Sequence, residues 1–203
     1  FLSRRILRST HTLPSKNFCF TYPCPRKLTE IMKHSLIIRE PPSNVKQIWK
    51  TYHDERKNTI SHVFSETQYN QFIKNAAYCP LFLYPLKKGG GHLNLIGQCQ
   101  NKSVLFTTLE EFRDRPGNAN PYLILTLFDE LLESKQLGLM RGDIFGSFKK
   151  EEAVNLMNMC INSYMNETMF QYVRTFNHEA HSFNIEQYTE MALRKQRTST
   201  IIL

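Results

Sequence analysis

Apolar positions along this chain change period several times, and the changes mark out its elements. After Pro41-Pro42, Val45, Ile48, Trp49 and Tyr52 recur at i, i+3, i+4 and i+7. That spacing predicts an amphipathic helix, with Ser43 or Asn44 as its N-cap. A second helix is expected from Ser65, where Gln68 completes a capping-box pattern, and Pro80 ends it. Its apolar face is Tyr69, Phe72, Ile73, Ala76 and Ala77.

The centre of the chain reads as strands. Residues 80–86 form a short apolar run that leads into the turn Lys87-Lys88-Gly89-Gly90-Gly91. Residues 92–100 alternate around Leu93, Leu95 and Gly97, and Asn101-Lys102 turns the chain into residues 103–109, where Val104 and Phe106 share a face. The pattern is that of an antiparallel meander. A polar loop through Pro116-Gly117-Asn118 separates it from another apolar stretch, residues 122–128, and residues 137–144 read as a further strand after a Glu-rich turn of helix. Helical spacing returns over residues 149–165, with Val154, Met157, Ile161 and Tyr164 on one side. Residues 168–176, rich in Thr and aromatics, alternate with period two and are expected as a last strand; Asn184 then caps a helix over 185–196. The order predicts a single α+β domain over residues 44–197, a mostly antiparallel β-sheet flanked by helices.

Charge divides the chain unevenly. The first 29 residues carry Arg4, Arg5, Arg8, Lys16, Arg26 and Lys27 and no acid; the remainder has 20 cations against 18 acids, so only +2 of the formal +8 belongs to the body. Residues 1–35 therefore read as a flexible basic arm. Leu2, Ile6 and Leu7 can share a helical face opposite the arginines, the makeup of a mitochondrial transit peptide, disordered or cleaved. A basic tail and a nucleic-acid-binding arm are the competing readings. The chain starts at Phe1, not Met, so N-terminal sequence is expected to be missing. No run of 18 apolar residues is present, which argues against a membrane-spanning helix. Five widely spaced cysteines (19, 24, 79, 99 and 160) do not form a disulfide framework and suit a reducing compartment.

Candidate chemistry fails on spacing. Gly89-Gly90-Gly91 lacks the Lys-Ser/Thr ending of a phosphate loop and precedes a strand. His178-Glu179-Ala180-His181 has one residue too few for a zinc-binding helix and sits where a strand is expected to end. No Gly-x-Ser-x-Gly elbow occurs, and Cys99 and His92 share a strand without an orienting acid. No metal, cofactor or catalytic residue is assigned. Met157, Met159 and Met165 read as core, although exposed methionines also suit adaptable partner binding.

Read in order, these segments resemble the mitochondrial ATP synthase assembly factor 1 family, chaperones of the beta subunit of the catalytic head. The resemblance rests on Ile48-Trp49-Lys50-Thr51-Tyr52-His53, on Cys79-Pro80-Leu81-Phe82-Leu83-Tyr84-Pro85-Leu86 and on Gly97-Gln98. It continues through Leu105-Phe106-Thr107-Thr108-Leu109, Leu123-Ile124-Leu125, Gly138-Leu139-Met140 and Thr175-Phe176-Asn177-His178. Where the family usually has Trp after Gly-Gln this chain has Cys99, its glutamate-rich strand is reduced to Arg141-Gly142-Asp143-Ile144, and the loop 113–121 is atypical.

The resemblance implies a non-enzymatic protein of the mitochondrial matrix, without cofactor and monomeric when free. It implies binding to the free beta subunit, shielding of its alpha-binding surface, and release during alpha/beta hexamer assembly. Neither a nucleic-acid partner nor stable membrane insertion is expected. The alternatives are a mitochondrial RNA-binding protein using the basic arm, and an enzyme using His92, Cys99 or His178, which needs a pocket joining them. Trp49, Tyr52, Phe82 and Tyr84 are the candidate partner-binding residues, because aromatics dominate interface energetics. Ordinary burial preferences place the same residues in the core.

Overall fold

The computed structural model describes residues 26–115 and 118–199. Among these, six strands form one antiparallel sheet in the order β1-β6-β5-β4-β3-β2. They are β1 (Thr59–Ser65), β2 (Leu81–Lys88), β3 (Gly91–Gln100), β4 (Ser103–Thr108), β5 (Leu123–Phe128) and β6 (Leu137–Ile144). Strands β2 to β6 are a simple meander. β1 pairs with β6 at the far edge, so the chain between β1 and β2 crosses the whole sheet.

The helices follow from local signals. α1 (Leu28–Ile31) and α2 (His34–Ile37) precede α3 (Pro42–Asp54), and α4 (Glu66–Tyr78) connects β1 to β2. Ser65 and Gln68 form the expected capping box of α4. α5 (Leu109–Asp114) and α6 (Leu132–Lys135) are short, and α7 (Lys150–Met165), α8 (Glu167–His178) and α9 (Ile185–Ser199) complete the chain. Asn184 caps α9 as expected, its side-chain oxygen accepting from the Gln187 N–H at 3.0 Å.

Four expectations are corrected, and one strand is added. Residues 168–176 are helical, not a strand. Asn166 accepts from the Met169 N–H at 3.0 Å, and Met169, Val173 and Phe176 bury an i, i+4, i+7 face. This face packs on β2. Neither Ser43 nor Asn44 caps α3: the helix begins with Pro42, whose fixed φ and missing N–H suit the first helical position, behind Pro41. Ile48, placed on the apolar face of α3, is 42% exposed. Strand β1 was not expected at all. Leu28 and Ile31, assigned from sequence to the arm of residues 1–35, are buried, so the fold starts before residue 35. The arginine-rich stretch, Cys19 and Cys24 lie outside the described residues.

Alternation along β6 builds two cores. Met140 and Ile144 face the larger one, with Phe64, Phe72, Phe82, Tyr84, Phe106, Leu125 and Tyr164, beneath α4, α7, α8 and α9. Leu137 and Leu139 face the smaller one, with Val45, Trp49, Phe128, Leu28 and Ile37. On the larger side Gly138 lets the Tyr69 ring lie against the sheet: a Cβ there would sit 2.2 Å from Tyr69 Cδ2. Gly138→Ala is therefore expected to cost about 1–3 kcal/mol of stability by overpacking. Gly90→Ala, where a Cβ meets nothing within 4 Å, should change stability by less than about 0.5 kcal/mol. Urea unfolding of both variants checks this; equal losses would contradict it.

Candidate partner-binding surface

The four aromatic candidates do not converge. Trp49 is fully buried on the α3 side, its indole N–H donating to the Met140 carbonyl at 3.2 Å and its ring edge-on to Phe128 at 5.9 Å. Phe82 and Tyr84 are fully buried on the opposite face of the sheet, within an aromatic cluster that includes Phe106, Phe176, Phe183 and Tyr188. Only Tyr52 keeps a solvent face. Arg56 folds back over its ring at 3.5 Å and donates to its carbonyl at 2.8 Å, leaving an aromatic-cation pair at the end of α3.

The surface also carries a groove of about 540 Å³ between α7, α8 and α9. Its floor is Met159, Met169, Tyr188 and Ala192. Along one wall Glu151, Asn155, Asn158 and Asn162 recur at helical spacing; Lys195 and Gln196 stand opposite. Ser163 completes the lining, so the groove combines an apolar floor with carboxamide, hydroxyl and charged groups. Of the three methionines singled out from sequence, Met157 is buried, while Met159 and Met165 are half-buried and Met159 reaches the groove.

Of the residues considered for catalysis, His92 stands apart from Cys99, whereas Tyr164, whose hydroxyl donates to the Cys79 carbonyl at 2.8 Å, links Cys99 to His178 through Cys79. His92 and Cys99 lie on β3 seven residues apart, so they point to opposite faces and stand roughly 23 Å apart. Cys99 faces Tyr164 instead, Sγ to Oη 3.4 Å. His178 has a partner that sequence did not suggest: Cys79 Sγ, 3.5 Å from Nε2 and 99 residues away. Burial holds the Cys79 and Cys99 thiols up at about 11, and that of Cys160 well above its ordinary value. A thiol so shifted is protonated near neutrality and a poor nucleophile. Among the described residues no group of three or more His, Cys, Asp or Glu could hold a metal ion, and no helix is long and apolar enough to cross a membrane.

Sequence reasoning treated Arg141-Gly142-Asp143-Ile144 only as a departure from a pattern. In the fold Arg141 and Asp143, two apart on a strand, share one face and pair, with Arg141 Nη2 donating to Asp143 Oδ1 at 2.6 Å and Nε to both carboxylate oxygens at 3.0 Å. The guanidinium side chain is only 6% exposed. His53 lies near this pair, fully buried, its Nδ1 at 2.7 Å from the Trp49 carbonyl.

Comparison with known proteins settles the relationship. The family model described as ATP11 protein matches residues 10–188. The chain belongs to that family. Among curated relatives, the "ATP synthase mitochondrial F1 complex assembly factor 1" of Danio rerio is 26% identical over 162 residues, 78% of this chain and 53% of the relative. The proteins of the same name from Mus musculus and Homo sapiens are 26% and 27% identical over 161 residues, 78% of this chain and 49% of each. The chain thus spans about half the length of the curated relatives it matches.

The family member described here should show a defined pH response. Burial, foremost, holds His53 below the ordinary 6.5, as do the charges of Arg141 and Arg56, against the opposing Trp49 carbonyl and Asp143; burial also lowers His62. A histidine whose folded pKa is depressed stays neutral while the unfolded chain takes up protons. Its stabilising contribution is present above pH 6.5 and declines as pH falls through the folded pKa. Urea midpoints are expected to decrease from pH 7.5 to pH 5; a flat or rising profile would contradict this.

Proposed function

We propose that this protein is a non-enzymatic assembly chaperone. It binds the free beta subunit of the mitochondrial ATP synthase catalytic head, shields the surface that the alpha subunit later covers, and releases it during assembly of the alpha/beta hexamer. The observation that carries this is family membership across residues 10–188, joined to three relatives named for assembly of the F1 complex. The physical requirement is plain. An unassembled subunit exposes an obligate, apolar interface that aggregates unless covered. The cover must bind more weakly than the final partner, so that mass action moves the subunit forward.

The reading places the protein in the mitochondrial matrix. A transit peptide is proposed within residues 1–35, cleaved before Leu28, whose side chain the smaller core buries. The chaperone domain, expected from sequence over residues 44–197, is proposed to reach back to Leu28 and to be monomeric when free. Of the four aromatic candidates, Tyr52 is proposed to touch the client directly; Trp49, Phe82 and Tyr84 hold the shape of the surface from beneath.

Import into mitochondria followed by pull-down from matrix extract should recover free beta subunit. Tyr52→Ala should reduce that recovery several-fold with the fold intact, as expected of an aromatic interface residue. Recovery of assembled synthase alone, or of no synthase subunit, would contradict the proposal.

A further inference from the structure

The sheet has two edges, and they are finished differently. On β2 most of the outward main-chain groups are occupied, and Leu83 between them is buried. The Leu81 N–H donates to Asn177 Oδ1 at 3.2 Å, and Asn177 Nδ2 returns a bond to the Leu81 carbonyl at 2.6 Å. Pro85 has no N–H, its carbonyl accepts from Gln196 Nε2 at 2.8 Å, and the Lys87 N–H donates to Gln196 Oε1 at 3.1 Å. Carboxamides and a proline thus close that edge against strand pairing.

β1 has no such finish. The Ile144 N–H donates to the Asn58 carbonyl and the Glu66 N–H to the Gln136 carbonyl, each at 3.0 Å. These bonds and the β1–β6 register turn the even-numbered residues of β1 toward β6 and the main-chain groups of Ser61 and Val63 outward. At the strand's end the Ser65 N–H is taken by Gln68 Oε1 at 2.9 Å. Among the described residues no hydrogen bond reaches the N–H or C=O of Ser61 or Val63. Both are half-buried, and the strand, Thr-Ile-Ser-His-Val-Phe-Ser, contains neither a charge nor a proline. An uncharged edge without these guards is a template for pairing.

We infer that the β1 edge is a strand-addition site, and that its occupant is an extended segment of the client subunit. This rests on the chaperone reading above. The chemistry of the edge selects the class of partner: N–H and C=O groups repeating every second residue are matched by an extended polypeptide backbone. The number of groups selects the kind of contact. Thr59, turned outward by the same parity, is buried, which leaves two residues offering four hydrogen bonds, suited to a hold that must be surrendered.

The test is site-resolved amide hydrogen exchange on the full chain, with and without purified free beta subunit. In the complex the Ser61 and Val63 amides are expected to slow about tenfold or more, while His62 and Phe64, already bonded to β6, change little. Val63→Pro removes an outward N–H and no ladder bond, so it should weaken binding about tenfold or more while the chain remains folded; Val63→Thr, which also alters the packing on the smaller core, should bind like the parent. A bound complex in which Ser61 and Val63 exchange as in the free chain overturns the edge site and leaves the chaperone reading standing. Failure of the parent chain to bind the subunit overturns both. Protection that rises with the chain's own concentration, without subunit, makes a second copy the occupant and overturns the inference as stated.

Discussion

The register of β6 is the constraint on which the rest of the structure depends. It has a neighbour on each side, pairing with β1 from Thr59–Asp143 to Ser65–Leu137 and with β5 from Leu123–Ile144 to Phe128–Leu139. Its side chains alternate between two cores, and so do its consequences. Gly138 and Gly142 admit Tyr69 and Ile60 against the sheet on one face, while Leu137, Leu139 and Arg141 meet the α3 side on the other. A one-residue slip would exchange every one of these positions, putting a guanidinium where Met140 packs. The same parity decides which main-chain groups of β1 point away from the sheet.

The two covers of the sheet differ in thickness and in how they are attached. One is a layer of four helices packed through aromatic rings. The other depends on α3 and the short helices before it, and lysines tie it down. Lys150, at the start of α7, donates to the carbonyls of His53, Asp54 and Arg56 at 2.9, 2.8 and 2.8 Å. A cation at a helix C-terminus satisfies carbonyls that the helix leaves unpaired and complements its dipole. Lys135 does the same for the linker before α3, donating to the Ile38 carbonyl at 2.9 Å and to the Glu40 carbonyl. On the proposed reading this rigidity is useful: a preorganised surface loses less entropy when it covers a client.

How much of this was legible depended on whether the signal was local. The capping box at Ser65, the meander from residue 80 to 109, and the strand 137–144 could be read because caps, turns and alternation act over a few residues. β1 escaped because its strand passes directly into the α4 cap with no Gly or Pro between. α8 was misread because Thr and aromatic residues suit strands; the Asn166 cap and the fit of Met169, Val173 and Phe176 on β2 decided otherwise. The aromatic candidates show the limit most clearly. Nothing in the spacing of Trp49 and Tyr52 distinguishes them, yet one is sealed beneath α3 and the other keeps a solvent face with Arg56. The Cys79–His178 contact, 99 residues apart, and the pairing of Arg141 with Asp143 beside His53 likewise exist only once the sheet is assembled.

The central claim is that this protein covers an aggregation-prone subunit and then yields it. Light scattering of purified free beta subunit, with the full chain added and alpha subunit supplied afterwards, tests that claim most directly. The account predicts that scattering is suppressed near equimolar chain, and that alpha subunit then displaces the chain into free solution as alpha/beta assemblies form. Scattering unaffected by the chain, or a beta subunit that the alpha subunit cannot recover from it, would contradict the account.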